Sequence, residues 1–284
     1  MPIAKIKFSP GSHEALFSLL QDGNESVASL AMEQILQSID FDKLMRGYQD
    51  SQDGVVRRRV HQMGNIARRR QLLEQFLDRM QKDGLDLWQA MMMIDHLYDP
   101  QSSFNYLTEM SNELIGEFRQ KRGGTAAMIK LMKEHNFMVP SQNWFDIGNY
   151  LLGDVLESRM GAAPLLCIIA QHVGTFSNWR TRICLHSGRF CLLDQSKALI
   201  DPSEEWAIKK KISPEQYHAC SRKEILLVVL SQLFSMAVIN WEPWDIHLFS
   251  KILSSLYQID PGQMPYPLGS YLSPTRSFPE LSGQ

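Results

Sequence analysis

The sequence lacks the features that would place the protein in a membrane or on a secretory route. No apolar run approaches the roughly 18 residues of a membrane-spanning helix, and the first residues, MPIAKIKFSP, hold no apolar core of a signal peptide. The four cysteines show no CxxC spacing, which argues against a zinc site and for reduced thiols. We therefore expect a cytoplasmic protein with no metal and no other cofactor.

An excess of charge of either sign is also missing. The chain has 29 Lys and Arg against 31 Asp and Glu, for a formal net charge of -2. This balance gives no long-range attraction to nucleic acid or to an anionic membrane. With 284 residues, 44% of them hydrophobic, the chain can form one large domain or two modest ones around a real core.

Helical patterns fill the first 120 residues. From residue 54 the apolar positions keep the helical period for about 27 residues, which predicts a helix of roughly 40 Å. Residues 22–35 align with residues 50–63, a repeat that suggests helical hairpins of the HEAT type. We interpret residues 1–120 as a helical region, with HEAT-like hairpins as one alternative for its organisation.

Two arginine triplets lie within the long helix, Arg57 to Arg59 and Arg68 to Arg70. Their spacing is close to three helical turns, so they occupy nearly the same face. This face is a weaker candidate for binding RNA or another anion, because no aromatic residues for base stacking interleave with it. We favour a solvated face with local ion pairs, in which Arg70 pairs with Glu74 one turn later.

Further helices are predicted between Leu85 and Gly123, where two consecutive glycines are typical of a helix end. Thr125 is expected to cap the helix that follows. Three consecutive methionines, at positions 91 to 93, are interpreted as core packing, because methionine at helical spacing fills cores far more often than it binds a ligand.

The stretch from Asn149 to Pro202 carries the most informative motif of the chain. It contains NYLLGDVLESRMGAAP, a long apolar helix, the turn SGRF and the tripeptide IDP. This pattern resembles the SirB-type family of transglutaminase-like proteins, whose motif is N-x-x-L-x-x-V-L-x-x-R-x-G-I-P, followed by P-G-H-F and I-D-P. One extra residue separates the Gly from the Pro here, and the matching residues are Asn149, Leu152, Val155, Leu156, Arg159, Gly161 and Pro164.

The resemblance implies an α+β fold that is mostly helical. The helical N-terminal region would be followed, at residues 121–262, by a transglutaminase-like (papain-like) core. That core would hold a small antiparallel sheet from Trp179 to Ile200 and closing helices from Arg222 to Tyr257. Residues 263–284 are rich in Pro, Gly and Ser and lack periodicity, so we interpret them as an extended tail.

Two positions depart from the active members that the resemblance implies. In those enzymes a cysteine begins the helix, where the helix dipole lowers the pKa of its thiol, and a histidine in the H-F turn deprotonates it. This sequence has Ala163 and Arg189 there, and a side chain with a pKa above about 12 cannot act as a general base. Asp201 alone remains of the triad. We expect it to pair with Arg189 or to cap the turn at Pro202.

The function predicted from these residues is a non-catalytic, transglutaminase-like module that binds another protein or a peptide. The alternative is a cysteine hydrolase or acyl transferase that uses Cys167 or Cys184 with His186 or His172. Cys184 and His186 alternate on one predicted strand and would share a face. Cys167 lies in an apolar helix and is expected to be buried and inert. The missing nucleophile and base favour a protein that is not an enzyme.

Overall fold

The computed structural model describes residues 10–82, 84–121, 123–142, 145–209 and 212–259. Contacts divide the chain into two compact units, Met1–Gln75 and Phe76–Gln284, and each is described by itself. The predicted tail at 263–284 lies outside the described residues.

The first unit is helical. Asn24 caps the second helix by accepting a hydrogen bond from the main-chain nitrogen of Ser26 at 3.0 Å. The rings of Phe17 and Tyr48 stack with their centroids 3.6 Å apart, beside a core that includes Met63. The long helix predicted from residue 54 is confirmed. The helices are α1 (Pro10–Leu19), α2 (Glu25–Leu36), α3 (Phe41–Tyr48) and the N-terminal part of α4 (Gly54–Gln81).

Arg59 joins α4 to the turn between α1 and α2. Its buried guanidinium donates to the main-chain oxygens of Leu20 and Asp22, the latter at 3.2 Å, and to the carboxylate of Glu25 at 2.9 Å. A fork of fixed N–H donors suits three acceptors at once. One member of the predicted solvated face is therefore a buried structural residue.

Arg70 makes a pair that differs from the predicted one. Its guanidinium contacts both carboxylate oxygens of Glu33 in α2, at 2.8 and 3.2 Å, and this contact lowers the pKa of Glu33. The predicted local pair with Glu74 is wrong. Glu33 offers a two-point contact from a neighbouring helix, and bidentate pairs of a guanidinium with a carboxylate are among the stronger hydrogen-bonded contacts.

The second unit is built around one apolar helix, α9 (Ala163–Thr175), of which nine residues are buried. It packs against α5, α6 and α7 and against the first two strands of the sheet. The closing helices have the predicted bounds, and Pro243 stands in the first turn of the last one. The other helices are α5 (Leu87–Tyr98), α6 (Phe104–Gln120), α7 (Thr125–Glu134), α8 (Leu152–Ser158), α10 (Arg222–Ile239) and α11 (Pro243–Tyr257).

Both α5 and α6 pack on α8 and α9, so their contacts place them with the sheet. The structure therefore groups residues 76–120 with the second unit, whereas the sequence interpretation placed them in the helical N-terminal region. The predicted domain bounds stay a prediction.

The sheet has five antiparallel strands in the order β4-β3-β2-β1-β5. A two-residue turn, Ser187 and Gly188, joins β1 to β2, and both residues have positive φ (51° and 77°), as a type I′ hairpin requires. The predicted sheet covers β1, β2 and most of β3 but misses β4 and β5, which are too short to show alternation. The strands are β1 (Thr181–His186), β2 (Arg189–Asp194), β3 (Leu199–Asp201), β4 (Ala207–Lys209) and β5 (His218–Ala219).

Thr125 fastens α7 to the sheet and does not cap the helix as predicted. The cap is Gly124, whose φ of 90° suits glycine. The hydroxyl of Thr125 donates to the carboxylate of Asp194 at 2.5 Å and accepts from the indole nitrogen of Trp179 at 3.0 Å. The hydroxyl is thus used for a contact between elements, which the local pattern does not reveal.

We predict that Gly174→Ala destabilises the protein. A Cβ at this position of α9 would overlap the indole ring of Trp179 and lie 3.1 Å from its main-chain oxygen. Overpacking of this kind costs about 1–3 kcal/mol. The matched control is Gly116→Ala in α6, where nothing lies within 4 Å and the same change should stabilise by about 0.5–1 kcal/mol. Urea unfolding, followed by tryptophan fluorescence, gives both values, and equal shifts would contradict the packing described.

Candidate functional site

The first turn of α9 is held in place by the segment that precedes it. The main-chain nitrogen of Gly161 donates to the oxygen of Met138 at 3.1 Å, and that of Ala162 donates to the oxygen of Asn149 at 2.9 Å. A Cβ at Gly161 would lie 2.6 Å from the side chain of Val155, so this position needs glycine. The half-buried Ala163 that follows begins the helix, at the position where the resemblance implies a nucleophile.

Arg189 and Asp201 meet, as predicted. The Nη1 atom of Arg189 lies 3.6 Å from Oδ2 of Asp201 and 2.5 Å from Oε1 of Glu204, and Nζ of Lys209 lies 3.2 Å from Oε2 of Glu204. Contact with Glu204 and the charge of Asp201 raise the pKa of Arg189. The Arg189 side chain therefore stays a cation within a row of alternating charges and cannot take up a proton.

Asp201 fulfils both of its predicted roles. It is 1% exposed, and its Oδ1 accepts from the main-chain nitrogen of Ser203 at 2.9 Å, which caps the short 3₁₀ turn that begins at Pro202. Among the described residues its Oδ2 has no hydrogen-bond partner, and the ion pair with Arg189 is the polar contact at that atom. In this arrangement the carboxylate faces a guanidinium, whereas a catalytic triad would need an imidazole there.

The candidate substitute thiols are buried. Cys167 lies one turn after Ala163 with no exposed surface, and its burial raises the pKa of its thiol. Cys184 lies opposite Cys191 in the register of β1 and β2, and both belong to a small apolar cluster that does not include Cys167. Burial raises the pKa of Cys184 to about 11 and that of Cys191 to about 12. These three thiols are protonated at neutral pH and are poor nucleophiles.

His186 shares a face of β1 with Cys184, by the alternation of the strand. Its Nδ1 lies 2.9 Å from the main-chain oxygen of Gln216, so this nitrogen carries a proton and donates it. Among the described residues, no imidazole is hydrogen-bonded to a cysteine thiol; the Sγ of Cys220 donates to the main-chain oxygen of His218 at 3.7 Å. The predicted dyad is therefore not assembled.

His172 lies far along α9 from Ala163, between two aromatic rings. It stacks on Trp88 with ring centroids 3.9 Å apart and meets the ring of Phe176 edge-on at 5.2 Å. Burial lowers its pKa to about 4. A neutral ring stacked in this way contributes to packing. Among the described residues, His172 makes no hydrogen bond to a thiol.

A cleft of about 1230 Å³ opens beside the C-terminal half of α9. It is bounded by α5, β1, the end of β2, β5 and the start of α10, and neither Ala163, Arg189 nor Asp201 lines it. Its floor is apolar, and its rim carries three arginines, Arg180, Arg182 and Arg222. The sequence interpretation missed this cleft because its lining comes from elements more than 130 residues apart in the chain. The one local signal in the sequence was the pair Arg180 and Arg182, which are two residues apart and so lie on the same side of an extended segment.

A smaller cavity of about 610 Å³ lies between α5, α6 and α8. Its buried carboxylate, Asp95, accepts from the main-chain nitrogen of Gly153 at 3.0 Å and from the hydroxyl of Ser102 at 2.7 Å, while burial raises its pKa. Asp95 thus supplies the anion at the start of α8. Among the described residues, no group of His, Cys, Asp or Glu is arranged to hold a metal ion.

Comparison with known families identifies the chain's family. The family model described as the transglutaminase-like superfamily matches residues 70–230, more than half of the chain, and this range includes Ala163, Arg189 and Asp201. No curated protein and no solved structure matches the chain. Within the described part of the chain, no helix has both the length and the hydropathy that crossing a membrane requires.

We predict that His172 makes stability depend on pH in the acid range. Its folded pKa of about 4 lies below the ordinary 6.5, so the unfolded chain takes up the proton first as the pH falls. The stabilising contribution is complete above about pH 6.5 and is lost towards pH 4. We expect a loss of about 1–2 kcal/mol, less than the full shift because solvent reaches part of the ring.

The measurement is the free energy of unfolding in urea across this range. His172→Gln should reduce the loss of unfolding free energy between about pH 6.5 and pH 4. His247→Gln, at an exposed position of α11, should leave that loss as in the wild type. The same loss of stability in His172→Gln as in the wild type would contradict the assignment of this pH dependence to His172.

Proposed function

The chain belongs to the transglutaminase-like superfamily, and from that premise we propose that it is a non-catalytic, SirB-type member that acts by binding another protein or a peptide. The observation that carries the proposal is the pair of residues at the two chemical positions. Ala163 begins the helix where acyl transfer needs a thiol, and Arg189, held by Asp201 and Glu204, stands where it needs a base.

The remaining thiols support the same proposal. A cysteine hydrolase or acyl transferase needs a thiolate within reach of an imidazole. Burial keeps Cys167 and Cys184 protonated at neutral pH, and the Nδ1 proton of His186 is used by the main-chain oxygen of Gln216. The four thiols are free, which suits a reducing compartment and our proposal of a cytoplasmic location.

The arginine face of α4 gives less support to binding RNA. The charge of Arg59 is met by Glu25 and that of Arg70 by Glu33, within the first unit itself. Arg57 donates to the main-chain oxygen of Ser51 at 3.2 Å. Charges that are already paired inside the protein contribute little to phosphate binding.

The proposal is tested by the rates at which a thiol-reactive probe labels the four cysteines of the folded protein. We expect slow labelling of Cys167, Cys184 and Cys191, with Cys220 fastest because it is the one thiol not fully buried. Mass spectrometry of tryptic peptides assigns each rate, and the urea-denatured protein serves as the control for full reactivity.

An opposite result is equally specific. Fast labelling of one cysteine at mildly acidic pH, abolished by His186→Gln or by His172→Gln, would show an activated thiol. It would overturn the non-catalytic proposal in favour of the cysteine enzyme.

A further inference from the structure

We propose that the cleft beside the C-terminal half of α9 is the peptide-binding site, and that its ligand is an acidic segment with apolar side chains. The carboxylates of the segment would lie on Arg180, Arg182 and Arg222, and its apolar side chains on the floor of the cleft. The assignment rests on the proposed binding function, for which it names a place and the chemistry of the partner.

The three arginines of the rim converge from separate elements. Arg180 precedes β1, Arg182 lies within it, and Arg222 is the first residue of α10, so the fold brings them to one opening. All three are exposed. Within the described residues, no carboxylate forms a salt bridge with any of them. Unpaired guanidinium groups around one cleft are suited to bind carboxylates with two-point geometry.

The two carboxylates that line the cleft, Asp194 and Asp86, accept hydrogen bonds from other groups. Asp194 accepts from the hydroxyl of Thr125 at 2.5 Å and from main-chain nitrogens of its own turn, such as that of Ala198 at 2.9 Å. Asp86 caps α5 by accepting from the main-chain nitrogen of Gln89 at 2.8 Å. These hydrogen bonds hold the two carboxylates in place without cancelling their charge, so the lining keeps three positive charges against two negative ones and a net charge of +1. The guanidinium groups, which are exposed at the rim, are the charges that an acidic ligand would contact.

Glu224 also lies close to the start of α10, and it too is occupied. Its carboxylate accepts from the main-chain nitrogen of Ser221 at 2.6 Å and lies 3.0 Å from Nε2 of His218. Glu224 therefore completes the cap of α10, and within the part of the chain that the structure describes Arg222 forms no ion pair.

The floor and the size of the cleft favour a peptide over a small anion. Ile168, Ile183, Leu193 and Ile225 give an apolar base. The volume of about 1230 Å³ exceeds the range of roughly 300–1,000 Å³ that is typical of small-molecule sites. An acidic peptide with apolar side chains matches both the base and the rim.

A nucleic acid fits the same cleft less well. Single strands bind by stacking bases on aromatic faces. Here one face of the Trp88 ring is covered by His172, at a centroid distance of 3.9 Å, and Trp88 as a whole is only 7% exposed. The aromatic surface is used within the fold, which leaves charge and apolar area as the means of recognition.

The test is fluorescence anisotropy with the full-length protein and labelled peptides. The probe is a peptide of repeated Glu-Glu-Leu triplets, with repeated Lys-Lys-Leu and Gln-Gln-Leu peptides of equal length for comparison. We expect the acidic peptide to bind with the highest affinity of the three, and its affinity to fall as the salt concentration is raised. Its affinity for the double variant Arg180→Glu/Arg182→Glu should be lower by a factor of about ten or more.

The matched control is the charge reversal Arg57→Glu/Arg58→Glu, on exposed positions of α4, which should leave the affinity unchanged. Far-UV circular dichroism and urea midpoints establish that both variants are folded. Phe176→Ser, which alters the lining of the cleft without changing its charge, should also lower the affinity for the acidic peptide.

Three outcomes would overturn the assignment. Equal affinity for the acidic peptide in both double variants would remove the cleft as its site but keep the proposed binding function. Preference for a labelled oligothymidine over the acidic peptide, lost with Arg180→Glu/Arg182→Glu, would make the cleft a nucleic-acid site. No binding of any peptide would remove the cleft as a peptide site, and whether the proposed function also fails is then decided by the thiol labelling rates.

Discussion

The burial of α9 is the constraint on which the second unit depends. A helix that is apolar on nearly every side must be enclosed, and here helices and the sheet enclose it together. Solvent reaches it only at Ala163 and, near its other end, at Gln171, His172 and Thr175. Any chemistry or binding that uses this helix is therefore confined to its two ends, and the two ends have different characters.

At the first end we propose that the geometry of a nucleophile site is kept without its chemical groups. Gly161 lets the chain turn into the helix, and Asp201 is buried where it can hold a partner from β2. That partner is Arg189. A row of ion pairs then runs from Arg189 through Glu204 to Lys209. At the second end lies the cleft with its arginine rim, and we place the proposed binding there.

The parts of the fold that were predictable from sequence are those with a local physical cause. Helical periodicity located α4, while the resemblance to SirB-type proteins implied α10, the turn at Gly188 and the pairing of Arg189 with Asp201. The missed features depend on contacts between distant residues. Two strands of two and three residues form only through their neighbours, Arg70 chooses Glu33 because α2 lies beside it, and the cleft exists only once its elements have assembled.

The most direct test of the account is the pKa of a thiol introduced at the start of α9, measured by the pH dependence of alkylation in Ala163→Cys. The control is Thr175→Cys at the opposite, exposed end of the same helix. A retained nucleophile position predicts a pKa below the ordinary value of about 8.5 for Ala163→Cys and a higher pKa for Thr175→Cys, because the helix dipole favours a thiolate only at its N-terminal end. A pKa in Ala163→Cys equal to or above that of the control would contradict the claim that this protein keeps the frame of a cysteine enzyme without its nucleophile.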